Sequence, residues 1–132
     1  MQPMGKKQIL VVDDELDIVE IICEILQGAG YETFSATDGQ QALEAMAHRK
    51  PDLVVLDIKM PVLDGISVIQ QMRNDPSLAK VPVVVVTATQ FLIGFQDQHR
   101  ALAISGCVAK PFEPEEILSA VGKALERTVA HG

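Results

Sequence analysis

The stretch PDLVVLDIKMP, residues 51–61, decides the fold of this chain. Residues 53–56 form a continuous apolar run, which is typical of a strand buried on both faces of a parallel sheet. Pro51 breaks any preceding helix, and Asp57 places a carboxylate directly after the strand. Ligands of open parallel α/β sheets bind at the carboxyl ends of the strands, so Asp57 is predicted to lie at a functional edge.

Apolar runs of the same kind recur on both sides of this stretch. QILVVD (8–13) and VVVVT (83–87) are continuous, so each predicts a further buried strand. YETFSA (31–36) alternates apolar and polar residues, which indicates an edge strand. CVA (107–109) predicts a short fifth strand.

Helical patterns lie between these strands and after the last one. The predicted helices run from an Asp14 cap to about Gly28, from Asp38 through Met46, from Ile66 through Met72, from about Gln96 to Ala103, and from Glu113 to about Arg127. Five strands that alternate with five helices predict an α/β domain of parallel βαβ units with right-handed crossovers.

Composition limits the classes of protein to which the chain can belong. Its 132 residues predict a single domain, 1–132, with a core of about 7–128. A net charge of -7 argues against binding nucleic acid directly, since phosphate contacts need clustered Lys and Arg. Cys23 and Cys107 lie in apolar stretches without metal spacing, which indicates reduced thiols of a cytosolic protein. The amino-terminal stretch MQPMGKKQILVV resembles neither a signal peptide nor a membrane span.

Five polar residues follow the predicted strands: Asp13, Asp14, Asp57, Thr87 and Lys110. Adjacent acids that close a buried strand are costly unless a cation neutralises them, and Mg²⁺ suits a small set of carboxylates. Asp57 is the candidate nucleophile for an aspartyl phosphate and a third metal ligand. Lys110 and Thr87 can offer a charge and a hydroxyl to phosphoryl oxygens.

No single one of these residues is specific for that chemistry. Asp14 alone is better explained as a helix N-cap, Thr87 as a structural residue at a strand end, and Lys110-Pro111 as a surface turn. Their conjunction is specific: D-D, D-x-x-M-P-x-x-D-G, T-A and K-P-F occur in order, each after its own strand.

This order of motifs resembles the receiver domain of two-component response regulators, and the resemblance covers nearly the whole chain. It implies a doubly wound five-stranded parallel sheet of order 2-1-3-4-5 in a flavodoxin-like three-layer sandwich. It also implies Mg²⁺-dependent (or Mn²⁺-dependent) transfer of a phosphoryl group to Asp57 from a histidine kinase or a histidine phosphotransfer protein. The backbone carbonyl of Lys59 matches the remaining metal ligand, and Lys110-Pro111 matches a cis peptide. A bacterial cytoplasmic regulator, not an enzyme that turns over a substrate, is expected.

The chain departs from this family at the switch position three residues before Lys110, where Cys107 replaces an aromatic residue. Cys107 is predicted only to pack, so activation is expected to depend on movement of the loop and helix after the fourth strand. Four apolar residues of that segment, Phe91, Leu92, Ile93 and Phe95, form either an exposed output or self-association surface or a cluster that fills the space left by Cys107. Both alternatives remain open.

Lys59 lies two residues after Asp57, and Thr89 lies two residues after Thr87. In the family that the chain resembles, side chains at these two positions flank the path of the water that attacks the phosphoryl group. A lysine there predicts a long-lived phosphoform, although Lys59 is equally compatible with a solvated surface charge. It also disfavours a phosphohydrolase, which needs an acid at this position.

A phosphorylation-independent interaction module is the remaining alternative, and the complete set of five site residues disfavours it. Only one helix follows K-P-F, so a stand-alone regulator that acts by protein contact is expected.

Overall fold

Five parallel strands form the centre of the molecule. The computed structural model describes residues 5–131, so the predicted domain limits, 1 and 132, lie outside the described residues. The strands are β1 (Gln8–Val12), β2 (Glu32–Ala36), β3 (Leu53–Leu56), β4 (Val83–Ala88) and β5 (Gly106–Lys110). Their order, β2-β1-β3-β4-β5, confirms the predicted topology, with β2 at one edge as its alternating pattern indicated.

Helices cover both faces of this sheet. They are α1 (Leu16–Gly28), α2 (Gly39–His48), α3 (Gly65–Asn74), α4 (Thr89–Leu92), α5 (Phe95–Gln98) and α6 (Pro114–His131), with a 3-10 helix at Arg100–Leu102. The long helices α1 and α6 pack on one face, and α2, α3 and the β4–β5 connection pack on the other. Within residues 5–131, no helix is both long and apolar enough to cross a bilayer.

The continuous apolar runs are explained by two separate cores. Because successive side chains of a strand point to opposite faces, Leu53 and Val55 pack under α1 and α6, while Val54 and Leu56 pack under α2 and α3. All four are at most 1% exposed. Asp57 therefore follows a strand that has no solvent-facing side, which fixes its position firmly.

Aspartate side chains cap two of the helices. Asp38, where the second helix is predicted to begin, caps α2, and Asp64 of the D-x-x-M-P-x-x-D-G motif caps α3. Asp38 accepts a hydrogen bond of 2.8 Å from the Gln41 amide, and Asp64 one of 2.8 Å from the Ser67 amide. The predicted Asp14 cap is wrong, because α1 begins after Glu15 and has no side-chain cap. The Asp14 carboxylate instead faces Asp13 across the end of β1 and Asp57 beyond β3.

The connection between β4 and β5 differs most from the prediction. Instead of one helix over 96–103, two four-residue helices are separated by Ile93 and Gly94, and a 3-10 helix follows. Non-helical His99 (φ -126°, ψ 40°) separates α5 from the 3-10 helix, and Gly94 (φ 72°) and Ala103 (φ 54°) adopt left-handed conformations at the two ends of this stretch. Arg73 of α3 joins this connection to the segment before β4, because its guanidinium donates hydrogen bonds of 2.8 Å to the carbonyls of Leu102 and Val81.

Candidate functional site

The sheet itself brings the predicted site residues together. Val12 pairs with Leu56, so the residues that follow them, Asp13 and Asp57, are neighbours at the carboxyl edge. The Asp57 amide donates to the Val12 carbonyl at 3.1 Å, which extends the pairing to the start of the loop.

Asp57 lies at the centre of this edge and is only 6% exposed. The Thr87 hydroxyl donates to Asp57 Oδ1 at 2.6 Å, and the Lys110 ammonium donates to Asp57 Oδ2 at 3.0 Å. The backbone amide of Lys59 adds a third donor, 3.3 Å from Oδ1. Both oxygens are thus held in fixed directions. Oδ1 accepts two hydrogen bonds and Oδ2 accepts one, so the open one of the roughly four acceptor positions of the carboxylate is on Oδ2.

Lys110 also binds the buried carboxylate of Asp13, at 2.6 Å from Oδ2. The Glu15 amide donates to the other oxygen of Asp13 at 2.9 Å, and the Glu15 carboxylate lies 3.5 Å from the ammonium. Burial raises the pKa of Asp13, although the hydrogen bond from Lys110 opposes that shift. Burial alone would lower the pKa of Lys110, but its bonds to Asp13 and Asp57 raise it above the ordinary value.

Three carboxylates cluster at this edge of the sheet, beside the ammonium of Lys110. Oxygens of Asp13, Asp14 and Asp57 lie within 4.8 Å of one another, and Lys110 is the cation that contacts two of them. Three negative charges against one positive charge leave two in excess where Asp13 and Asp57 are almost fully buried. A hard divalent cation with oxygen ligands fits this donor set.

A groove of about 550 Å³ extends from the acids along the loop after β3. Asp14, Lys59 and Asp64 contribute charged side chains to its wall, and Phe91 and Phe95 contribute rings. The Lys59 ammonium lies 5.0 Å from the centroid of the Phe91 ring, within the range of a cation–π contact.

The four apolar residues predicted for a possible surface patch have different environments. Phe95 is 4% exposed, so an exposed position for it is wrong, and Phe91 and Leu92 are half-buried against the same core as Cys107. Ile93 is 78% exposed. Inward packing therefore accounts for most of the cluster, and Ile93 is its solvent-facing member.

Two contributions were missed from the sequence. Glu15 contacts both Asp13 and Lys110, and its position directly after the acid pair was the available signal. The second is the contact of the Lys59 side chain with Phe91, which joins the carboxyl edge of the sheet to α4. No sequence spacing indicates that contact, because the two residues lie on different connections.

Comparisons with known proteins agree with this geometry. A family model described as the response regulator receiver domain matches residues 9–122. Sporulation initiation phosphotransferase F of Bacillus subtilis is 37% identical over 122 residues, which cover 92% of this chain and 96% of that protein. The probable transcriptional regulator ycf27 of Cyanophora paradoxa is 39% identical over 127 residues, which cover 95% of this chain and 51% of that protein. The chain thus spans about half the length of the transcriptional regulators that it matches.

A solved structure extends the similarity to three dimensions. The receiver domain of the sensor histidine kinase PA1611 from Pseudomonas aeruginosa PAO1, with a magnesium ion coordinated in its active site cleft, has a TM-score of 0.82 and 26% identity. The match covers 92% of this chain and 99% of that one. The chain belongs to the response regulator receiver domain family and is a regulatory component of two-component signal transduction.

Proposed function

We propose that this chain accepts a phosphoryl group on Asp57 from a phosphohistidine of a kinase or phosphotransfer protein. The observation that carries the proposal is the environment of Asp57: a nearly buried carboxylate bonded by Thr87 and Lys110, with Asp13 and Asp14 beside it. The chain serves as a phosphoacceptor and catalyses only its own phosphorylation and dephosphorylation.

The transfer needs one bond to form and one to break. A lone pair of the Asp57 carboxylate forms a P–O bond while the P–N bond to the donor imidazole breaks, and that electron pair leaves with the imidazole nitrogen. Phosphoryl transfer depends mainly on positioning and charge neutralisation. Lys110 supplies the charge, and Thr87 supplies a hydroxyl donor for a phosphoryl oxygen.

Receiver domains bind Mg²⁺ at an acidic site, and we extend this to Asp13, Asp14 and Asp57 with the backbone carbonyl of Lys59. The excess negative charge of the three carboxylates supports this assignment, with Mn²⁺ as the alternative ion. When bound, the metal offsets charge on the transferring phosphoryl group. Asp57 would then serve both as a ligand of the metal and as the phosphoryl acceptor.

The proposal is tested by intact mass after incubation with acetyl phosphate and Mg²⁺. Wild type is expected to gain one phosphoryl group, and Asp57→Asn none. Asp52→Asn is a matched control, because Asp52 lies at the opposite end of the same strand and accepts the Gln8 amide at 2.7 Å. An adduct that persists in Asp57→Asn would contradict the assignment.

A wild type without an adduct requires a second measurement, the binding of beryllofluoride. Tight binding would mean that the acceptor site is intact and needs its own phosphodonor. Absence of binding would instead favour a phosphorylation-independent interaction module.

We propose further that Lys59 prolongs the life of the phosphoform. Lys59 and Thr89 are both exposed at the mouth of the site, where a long cationic side chain can shield the acyl phosphate from water. Lys59→Asn is expected to shorten the half-life, and Lys80→Asn, at another exposed lysine, to leave it unchanged. Equal half-lives in all three proteins would refute the role of Lys59.

We place the output in protein contacts of the β4–β5 connection, with exposed Ile93 at its centre, in a protein of the cytoplasm that binds no nucleic acid through this domain. The negative charge of the chain supports that exclusion. Light scattering with and without beryllofluoride tests self-association. If Ile93→Asp leaves every association intact, Ile93 is not part of the surface.

A further inference from the structure

We infer that Phe91 is a positioning residue for Lys59: its ring holds the ammonium away from Asp57 until Asp57 is phosphorylated. The inference rests on the proposed phosphorylation of Asp57. It connects the carboxyl edge of the sheet to α4 through two residues whose contact no sequence pattern indicates.

The position of the Lys59 ammonium is set by a ring and not by an acid. It lies 5.0 Å from the Phe91 centroid. No carboxylate of the described residues lies within 4.0 Å of it, although Asp14 and Asp64 line the same groove. The ammonium therefore lies against the ring and forms no ion pair with either of these two acids.

Only the side chain of Lys59 has to move when the charge on Asp57 changes. The backbone amide of Lys59 already donates to Asp57 Oδ1 at 3.3 Å, which keeps the residue beside the acceptor. A phosphoryl group carries roughly -1.5 to -2 charges and three acceptor oxygens. The flexible four-carbon stem lets the ammonium leave the ring for those oxygens without rearrangement of the loop.

Departure of the ammonium changes the surroundings of α4. Phe91 is half-buried against the core that also contains Cys107, so the ring loses its polar partner while it keeps its apolar contacts. At the switch position, Cys107 is too small to rotate in response to phosphorylation as an aromatic side chain would. The Lys59–Phe91 contact gives this chain a different physical connection between phosphorylation and α4.

Ring and phosphoryl group compete for one ammonium, so each must weaken the other. An exposed cation–π contact contributes about 0.5–1 kcal/mol, which corresponds to roughly a two- to five-fold change in affinity. Removal of the ring should therefore tighten binding of a phosphoryl mimic by about that factor. Preorganisation of Lys59 by the ring would give the opposite sign, so the direction discriminates.

The test is a double-mutant cycle on the full chain, with the dissociation constant of beryllofluoride measured in Mg²⁺ buffer. Phe91→Leu is expected to bind about two- to five-fold more tightly than wild type. Phe91→Tyr keeps an aromatic face and should restore the wild-type constant. With Lys59→Met already present, Phe91→Leu should have no further effect.

A second readout follows the contact directly by NMR. The ε-methylene protons of Lys59 should show a ring-current shift in wild type and in Phe91→Tyr, and lose it when beryllofluoride is added. Phe91→Leu should lack the shift from the start.

The outcomes separate this inference from the proposed function. Suppose that wild type binds beryllofluoride, but Phe91→Leu changes the dissociation constant equally in wild type and in Lys59→Met. Only the inference then fails. Weaker binding by Phe91→Leu would also overturn it. If wild type does not bind beryllofluoride at all, both the proposed function and the inference fail.

Discussion

The connections after β3 and β4 leave the same edge of the sheet but are built differently. After β3, the loop leads into the ten-residue helix α3, begun by the Asp64 cap and tied by the Gly65 amide to the Ile58 carbonyl at 2.8 Å. After β4, two four-residue helices and a 3-10 helix follow one another, interrupted at Gly94.

This difference suits the two connections to different roles under the proposed function: the one after β3 positions Asp57, and the one after β4 can change conformation in response. The first connection begins at Asp57 and is specified by local bonds, which hold the proposed acceptor in place. The second depends on a few side chains, chiefly Phe95, Leu102 and Arg73, and its short helices have little stability of their own. Elements that rearrange are drawn from such low-stability parts of a fold.

The sharpest test of this comparison uses two apolar residues of the second connection. Phe95→Ala is expected to lower the free energy of unfolding by about 3–5 kcal/mol, because it removes a ring that is only 4% exposed. Ile93→Ala, at a side chain 78% exposed, should change it by less than about 0.5 kcal/mol. Urea unfolding measures both, and similar losses would mean that the connection is not anchored by Phe95.

The first connection should be sensitive to a single methyl group. A Cβ on Gly65 would overlap the Asp57 carbonyl oxygen and lie 2.8 Å from the Ile58 Cα. Gly65→Ala is therefore expected to lose about 1–3 kcal/mol and to displace Asp57. Gly122→Ala is the control, since a Cβ there meets nothing within 4 Å and should stabilise α6 slightly. A Gly65→Ala protein as stable as wild type would mean that the loop is loosely packed.

Magnesium should stabilise the acid edge measurably. At ten times its dissociation constant, a ligand of the folded state adds about 1.4 kcal/mol to the free energy of unfolding. Asp13→Asn should lose most of this increment, whereas Asp52→Asn should keep it. An undiminished increment in Asp13→Asn would place the metal elsewhere.

The pH dependence of that increment follows from the raised pKa of Asp13. In metal-free buffer the folded state binds the Asp13 proton more tightly than the unfolded state, so the contribution of this group to stability falls as the pH rises above about 3.9. Magnesium requires the ionised carboxylate. Its affinity should therefore weaken on acidification at a higher pH than for an ordinary aspartate, which titration calorimetry between pH 4.5 and 7.5 can follow.

The smallest expected effect is an increase in the free energy of unfolding, opposite in sign to the losses expected for Phe95→Ala and Gly65→Ala. Val62 adopts φ 69° in the loop after β3 and is 80% exposed. Relief of left-handed strain contributes roughly 1–2 kcal/mol, and the greater freedom of glycine in the unfolded chain offsets part of it. Val62→Gly should stabilise the protein by about 0.5–1 kcal/mol, and Val62→Ala by less. A destabilised Val62→Gly would show that the side chain makes contacts that stabilise the loop.

The sequence predicts the sheet because each strand has its own continuous or alternating pattern. The gathering of Asp57, Thr87 and Lys110 follows from it, since parallel strands present their carboxyl ends together. The predicted helix over 96–103 is wrong because the backbone leaves helical geometry at His99 (φ -126°, ψ 40°) and becomes left-handed at Ala103. Periodicity over so short a stretch cannot distinguish one helix from three short turns.

Contacts between distant side chains are the other part that the sequence does not specify. The shortest bond of Lys110 goes to Asp13 and not to Asp57, and Lys59 packs on Phe91. Both contacts depend on side-chain rotamers and on the packing of distant segments, which no sequence motif encodes.

The bond between Lys110 and Asp13 also constrains when a newly made chain can signal. These residues are 97 positions apart, and Lys110 ends β5, the last of the five strands of this sheet to be synthesised. An incomplete chain, even one with β1 and β3 paired, therefore holds its aspartates without their cation. Under the proposed function, such a chain lacks the charge that Lys110 supplies to the phosphoryl group, so a receiver cut short before β5 is expected not to accept one.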